Sequence, residues 1–409
     1  MNLSLQKSKT NTKSVIAVSG SKSETNRLLL LQALYPNIIL ANVSNSDDSE
    51  VMTKALLSDD PIKDIHHAGT AMRFLTAYFS TQEDKEVVLT GSSRMKERPI
   101  SILVDALRQL GAVIEYTEND GFPPLKITGR KITQNRVSLP ANVSSQYISA
   151  LLLVAPKLEN GLELTLEGEI TSIPYIKMTL ALLNEIGVET SFAGNVISVA
   201  PKPMLASSQL LTVESDWSSA SYWYSIIALS ETGTEVELSS YKENSLQGDS
   251  ALATIYKDFG VETVFGDTKI ILRKINYNHL SIVNYQLNNC PDIAQTIAVT
   301  CFGLGMGCHL TGLHTLKIKE TDRLEALKAE LEKFGASVTI TDETLTLEPT
   351  TNIIAGVAVK TYQDHRMAMA FAPLALKTNL VINEAEVVSK SYPDFWKDLQ
   401  HVGFIMSEA

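Results

Sequence analysis

The segment Gly20-Ser21-Lys22-Ser23-Glu24-Thr25-Asn26-Arg27 puts a glycine, hydroxyls, an ammonium and a guanidinium directly ahead of Leu28-Leu29-Leu30-Leu31. A helix start carries free N–H groups and the positive end of the helix dipole, so it attracts phosphate or carboxylate. Gly20 lets the chain turn tightly, and Ser23 can cap the helix or touch a ligand. Arg27 lies one turn on, on the same face. A plain N-cap with solvated cations is the alternative, but the leucine run leaves little solvent-facing surface. The pattern returns at Ala68-Gly69-Thr70-Ala71-Met72-Arg73, where small residues permit close approach and Arg73 sits in the first turn. Ser144-Ser145-Gln146 offers neutral donors for phosphate or hydroxyls, or simply a cap. Pro291-Asp292 places a carboxylate in a first turn, where dipole compensation alone would explain it.

Lys319-Glu320-Thr321-Asp322-Arg323 opens the stretch LEALKAELEK. It is either a solvated charged face or, with Glu320 between two cations, a proton-transfer site. Asp364-His365-Arg366 opens an otherwise apolar helix, so a buried Arg366 needs an anionic partner, protein or ligand. The loops Met95-Lys96-Glu97-Arg98-Pro99 and Ser389-Lys390-Ser391-Tyr392-Pro393 add cations. If Lys22, Arg27, Arg73, Arg98, Lys319, Arg323, Arg366 and Lys390 converge, they make one electropositive cleft suited to a small, multiply negative substrate. The phosphate-loop pattern of nucleoside triphosphatases does not occur, so triphosphate hydrolysis is unsupported. Cys301, Cys308 and His309 lack a further ligand pair and read as core, not as a metal site.

The elements that hold these groups repeat. Residues 103–116, 178–192, 251–265 and 327–340 share one shape: an amphipathic run, a glycine, then a short alternating apolar stretch. Residues 394–406 form a weaker copy. Gly111, Gly187, Gly260, Gly335 and Gly403 are spaced by 76, 73, 75 and 68 residues. Each copy reads as a helix ended by a left-handed glycine and followed by a strand. Such helix–Gly–strand joints are common, but regular spacing over several copies favours true internal repetition. At about 70 residues per unit, the 409 residues divide into close to six units of two helices and several strands. Between the copies lie helices with a polar start and a nearly all-apolar body, which must be buried.

Composition sets the outer bounds. With 44% apolar and 20% charged residues this is an ordinary globular chain, long enough for two or three domains. Forty-six acidic against 35 basic residues give a net charge of -11, which argues against nucleic-acid binding through overall charge. No apolar run reaches a membrane span, and the polar first residues are not a signal peptide. Three cysteines are too few for a disulfide framework, and a reducing cytoplasm is the default compartment.

In order along the chain, GSKSETNR, AGTAMRFLTA, MKERPISILVDALRQLGA, SSQYISALLL, VESDWSSASY, LQGD, PDIAQTIA, KIKETDRLEAL, TYQDHRMAMAF and SKSYPDFW resemble the 5-enolpyruvylshikimate-3-phosphate (EPSP) synthase family. The resemblance implies an α/β fold: a two-domain inside-out α/β barrel of six βαβαββ-type repeats, three per domain about a pseudo-threefold axis. Residues 1–20 with 214–409 would form the domain holding both chain ends, 21–213 the other, with the active site in the cleft between them. The implied reaction transfers the enolpyruvyl group of phosphoenolpyruvate to the 5-hydroxyl of shikimate 3-phosphate by addition and elimination. It belongs to the shikimate pathway to chorismate and the aromatic amino acids.

By motif, Asp292 would accept the hydroxyl proton, Glu320 would protonate the methylene carbon, and Lys22 would touch both substrates. Shikimate 3-phosphate would meet Lys22, Ser23, Arg27, Ser144, Ser145, Gln146, Ser172, Tyr175, Asp292 and Lys319. Phosphoenolpyruvate would meet Lys22, Gly69, Arg73, Arg98, Gln146, Glu320, Arg323, His365, Arg366 and Lys390, with Arg73 also supporting the Gly69 loop. No metal or organic cofactor, nucleic acid or membrane is implied, and a cytoplasmic monomer is expected.

Several residues depart from the family pattern. Ser19 stands where Pro is usual, Thr25 where Ser is common and His67 where Asn is usual, and Thr315 does not carry over an Asn contact. The short stretch 58–66 predicts a trimmed strand or hairpin. The crowding at Gly69-Thr70-Ala71 predicts sensitivity to glyphosate. The related UDP-N-acetylglucosamine enolpyruvyl transferases carry a Lys-Asn pair and a loop cysteine. Here the pair is Lys22-Ser23, and residues 91–130 hold no cysteine. A non-catalytic anion-binding relative would lack Lys22, Asp292 or Glu320, and all three are present.

Overall fold

The structure, a computed structural model, describes residues 1–168, 170 and 173–409. The chain forms two compact units, Gly20–Val213 and Met1–Ser19 with Glu214–Ala409. Each has its own apolar core.

Along Gly20–Val213 run α1 (Lys22–Leu34), α2 (Asp47–Leu57), α3 (Gly69–Ser80), α4 (Ser101–Gln109), α5 (Ser145–Val154) and α6 (Ile173–Glu185). α1, α3 and α5 are apolar on nearly every side past their first turns, and they pack on one another in the core. α4 instead buries Leu103, Val104, Ala106 and Leu107 and leaves its other face to water. The strand Ile62–Asp64 runs parallel to Glu86–Thr90, which continues antiparallel through Leu125–Thr128 to Val113–Tyr116. Arg136–Pro140, Leu162–Glu167, Val196–Val199 and Thr190–Ala193 repeat that order. A third sheet pairs Gln209–Thr212 with Ile38–Ala41 in parallel and has two strands among the described residues. The repeat predicted to be trimmed is this one. α2 ends at Leu57 and the strand at Ile62 already belongs to the next repeat, so no length is left for a hairpin.

The other unit carries α7 (Trp217–Leu229), α8 (Leu252–Ile255), α9 (Ala294–Leu304), α10 (Arg323–Lys333), α11 (His365–Phe371) and α12 (Phe395–His401). Here α7, α9 and α11 are the buried set, packed on one another. Its three sheets each begin with a parallel pair: Lys13–Ile16 with Glu235–Ser239, Ile282–Gln286 with Gly307–Thr311, and Val357–Val359 with Leu380–Ile382. Each then adds two antiparallel strands. In the third sheet an inner strand is Leu3–Leu5, held between Leu380–Ile382 and Met406–Glu408. Strand, buried helix, parallel strand, outer helix and antiparallel pair is the βαβαββ unit that the family resemblance implies, and it holds the two helices and several strands that the repeat predicted.

The five helix-ending glycines all have positive φ: Gly111 +103°, Gly187 +81°, Gly260 +72°, Gly335 +96° and Gly403 +109°. At four of them the next residue's N–H returns to the carbonyl five residues back, as Ala112 does to Leu107 at 2.9 Å. That bond turns the chain out of the helix and into the strand. Cys301 and Cys308 are buried thiols in the core, as read from the sequence. Among the described residues no helix is long and apolar enough to cross a membrane.

Candidate active site

In the unit Gly20–Val213, packing of α1, α3 and α5 brings polar helix starts together. Lys22 Nζ lies 3.6 Å from Asp48 Oδ2 at the start of α2, and His67 Nε2 lies 3.9 Å from Asp48 Oδ1. Gln146 Nε2 donates to Thr70 Oγ1 at 3.1 Å, joining the starts of α5 and α3. Ser144 caps α5 by accepting the Gln146 N–H, Ser145 is buried beside it, and Ser23 is half-buried. Gly69 faces Arg98 so closely that a Cβ there would sit 2.5 Å from Nη1 of the guanidinium. A side chain at that position would require the Arg98 guanidinium to shift.

Two arginines of this unit are turned inward. Arg73 donates to the Gly69 carbonyl and the Pro99 carbonyl, each at 3.1 Å, so it ties the α3 start to the loop that carries Arg98. Burial, with Arg98 adding repulsion, lowers the Arg73 guanidinium to about 10. An anion beside both arginines would relieve that repulsion. Arg27 is 2% exposed and donates to Thr179 Oγ1 at 2.8 Å, Ser149 Oγ at 3.0 Å and the Ser23 carbonyl at 2.6 Å. Burial lowers it to about 10, against the pull of Tyr175 and Glu24. The Tyr175 ring lies 6.0 Å from the Arg27 guanidinium carbon. Ser172, expected to touch a substrate, lies outside the described residues.

In the other unit the cluster is built on Arg323. Its side chain is 2% exposed, so Arg323 is no solvated surface charge, while Lys319 and Glu320 keep 33% and 31% exposure. Nε donates to Asp364 Oδ2 at 2.6 Å, Nη1 to Asp292 Oδ1 at 2.9 Å and Nη2 to Glu320 Oε2 at 2.8 Å. Asp292 Oδ2 accepts from Arg366 Nη2 at 3.1 Å, and Lys319 Nζ lies 3.6 Å from Oδ1. Asp292 therefore does more than compensate a helix dipole. Burial works against its charge, yet Arg366, Lys319 and Arg323 hold its carboxyl well below the usual carboxylate range. Asp364 caps α11 through the Arg366 N–H at 2.8 Å and is fully buried. His365 Nδ1 stands 3.8 Å from Asp364 Oδ1. Lys390 Nζ donates to the Gln363 carbonyl at 2.7 Å, which brings its loop to the α11 start.

The eight cations thus fall into two groups, Lys22, Arg27, Arg73 and Arg98 in one unit and Lys319, Arg323, Arg366 and Lys390 in the other. Asp48 and Asp364 take part in these clusters and are absent from the site read out of the sequence. Asp48 and Asp364 look there like ordinary acids at helix starts. Besides its place in the motif TYQDHRMAMAF, Asp364 is marked by standing ahead of an all-apolar helix, where an acid has no water to face.

Comparison with known proteins bears on which family uses such clusters. The family profile for EPSP synthase (3-phosphoshikimate 1-carboxyvinyltransferase) matches residues 56–399. A 3-phosphoshikimate 1-carboxyvinyltransferase of Bacteroides fragilis is 47% identical over 397 residues, covering 96% of each chain. One from Shewanella pealeana is 36% identical and covers 93% of this chain and 95% of its own. A solved structure of EPSP synthase from Acinetobacter baumannii shares the fold at TM-score 0.81 over all of both chains, with 22% identity. On the family match and this degree of identity along nearly its whole length, the chain belongs to the EPSP synthase family.

Proposed function

We propose that the chain transfers the enolpyruvyl group of phosphoenolpyruvate to the 5-hydroxyl of shikimate 3-phosphate and releases phosphate. The observation that carries this reading is the buried Arg323 held against Asp292, Glu320 and Asp364. Addition requires the hydroxyl oxygen to bond to C2 of phosphoenolpyruvate while its proton leaves and C3 gains one. Asp292 accepts the hydroxyl proton, and Glu320, 31% exposed and within reach of water, supplies the proton to C3. Elimination then removes a proton from C3 and expels phosphate.

With Arg366, Lys319 and Arg323 around it, Asp292 is a weak base, because the three cations stabilise its charge. Substrate carboxylate and phosphate groups that draw on Arg366 and Lys319 would raise its basicity where it is needed. Lys22, Gly69, Arg98, Gln146 and Lys390 are read as substrate contacts. Arg73 and Arg27 are read mainly as supports, since protein acceptors take the Nη1 and Nη2 donors of Arg73 and all three nitrogens of Arg27. The reading requires no metal or organic cofactor and takes the chain as a cytoplasmic monomer.

The test is phosphate release on mixing phosphoenolpyruvate with either shikimate 3-phosphate or UDP-N-acetylglucosamine. Release with the first acceptor alone is expected. Release only with the second, or with neither, overturns the reading.

A further inference from the structure

Asp249 sits in the short turn Gly248–Ala251 ahead of α8, is 4% exposed, and belongs to no part of the site described so far. Its Oδ2 accepts a hydrogen bond from Ser218 Oγ in the first turn of α7. Ser218 Oγ in turn accepts from Arg366 Nη2 at 3.2 Å, and the same Nη2 reaches Asp292 Oδ2 at 3.1 Å. A continuous chain therefore runs Asp249, Ser218, Arg366, Asp292. Two atoms along it are buried without a hydrogen-bond partner among the described residues, Asp249 Oδ1 and Arg366 Nε. An orphaned donor on a buried guanidinium is a place for an acceptor that arrives with a ligand.

We propose that Asp249 is a positioning residue: it fixes the Arg366 guanidinium through Ser218, and it takes up a proton from solvent when an anion binds to Arg366. The proposal rests on the reading that Arg366 receives phosphoenolpyruvate. The groups facing Asp249 are Asp292 and Cys290 from the loop before α9, Asp216 from the start of α7, and Arg366 from α11. Three carboxylates thus lie around Arg366, and of these Asp292 is also held by Arg323 and Lys319. Burial and Asp292 push the Asp249 carboxyl up to about 6, with Arg366 and the Ser218 hydrogen bond opposing. A ligand carboxylate or phosphate on Arg366 adds negative charge and draws off the cation that opposes the shift, so the neutral form of Asp249 becomes favoured. Because linkage is reciprocal, phosphoenolpyruvate binds more tightly as pH falls through the Asp249 pKa.

The experiment compares the full-length enzyme with Asp249→Asn and Ser218→Ala. In the wild type, the KM for phosphoenolpyruvate should rise about 3- to 10-fold between about pH 5.5 and 8 beyond the change due to the substrate's own ionisation. Asp249→Asn, which keeps an acceptor for Ser218 and removes the charge, should flatten that excess and lower KM at the alkaline end. The effect should fall on KM more than on kcat. Calorimetry of phosphoenolpyruvate binding in buffers of different ionisation heat should show fewer protons taken up by Asp249→Asn than by the wild type. Ser218→Ala should raise KM at every pH, because the guanidinium loses its tether. Equal proton uptake and superposable KM profiles in wild type and Asp249→Asn overturn the proposal. Should Asp249→Asn fail to fold, an unchanged KM in Ser218→Ala overturns the positioning role. Failure of the underlying functional reading looks different: the wild type itself releases no phosphate.

Discussion

Arg323 places one guanidinium on three carboxylates, and of these Glu320 is the most open to water: its side chain is 31% exposed, against 14% for Asp292 and none for Asp364. Glu320→Gln keeps the size and an acceptor for Arg323 but removes the proton donor. It should leave substrate binding intact and lower kcat by about 100-fold or more in a steady-state assay of phosphate release. Arg366→Ala removes a charge-assisted donor and should raise the KM for phosphoenolpyruvate by about 10- to 100-fold. A rise confined to the KM for shikimate 3-phosphate would reverse the assignment of the two substrates. At Gly69 an added Cβ would lie 2.5 Å from Arg98 Nη1, so the guanidinium would have to move from its place. Gly69→Ala should therefore raise the KM for phosphoenolpyruvate and weaken inhibition by glyphosate, read from an inhibitor titration of both enzymes.

At the scale of elements, the polar helix starts and apolar helix bodies have different origins. The bodies are apolar because they are core, and the starts are polar because their free N–H groups need acceptors. Asp322 Oδ1 accepts from two such groups at the start of α10, the Leu324 N–H at 3.1 Å and the Glu325 N–H at 3.2 Å. α10 carries Arg323 in its first turn, so this cap also steadies the site. Asp322→Ala should cost about 1 kcal/mol of stability. Scanning calorimetry should then show the melting temperature of that unit lowered by about 2–4 °C.

At the scale of the whole molecule, the unit formed by Met1–Ser19 and Glu214–Ala409 is assembled from two segments separated by the other unit in sequence. Leu3–Leu5 is an inner strand of its sheet, and Leu3 and Leu5 are both buried. Deleting residues 2–6 removes backbone partners from two neighbouring strands at once. Loss of the two leucine side chains alone should cost on the order of 3–6 kcal/mol. A calorimetric trace unchanged by the deletion would show that the strand contributes nothing to that unit.

What the sequence determined by itself is local. A left-handed glycine after an amphipathic run, as at Gly111 or Gly335, is written in residues within one or two helical turns, and so is the burial of a helix reading LLLL or ALLLV. The family motifs are equally contiguous, which is why Lys22, Asp292, Glu320 and Arg366 can be named in advance. Only the tertiary structure decided which charges meet. Arg366 finds Ser218 across 148 positions and Asp292 across 74, while Arg27 finds Thr179 across 152. Such pairings depend on how buried helices pack, and the cost of leaving a buried charge unpaired selects the arrangement. For the same reason Asp249, an ordinary acid in a short turn, acquires its place beside Arg366 only when α7, α9 and α11 close around it.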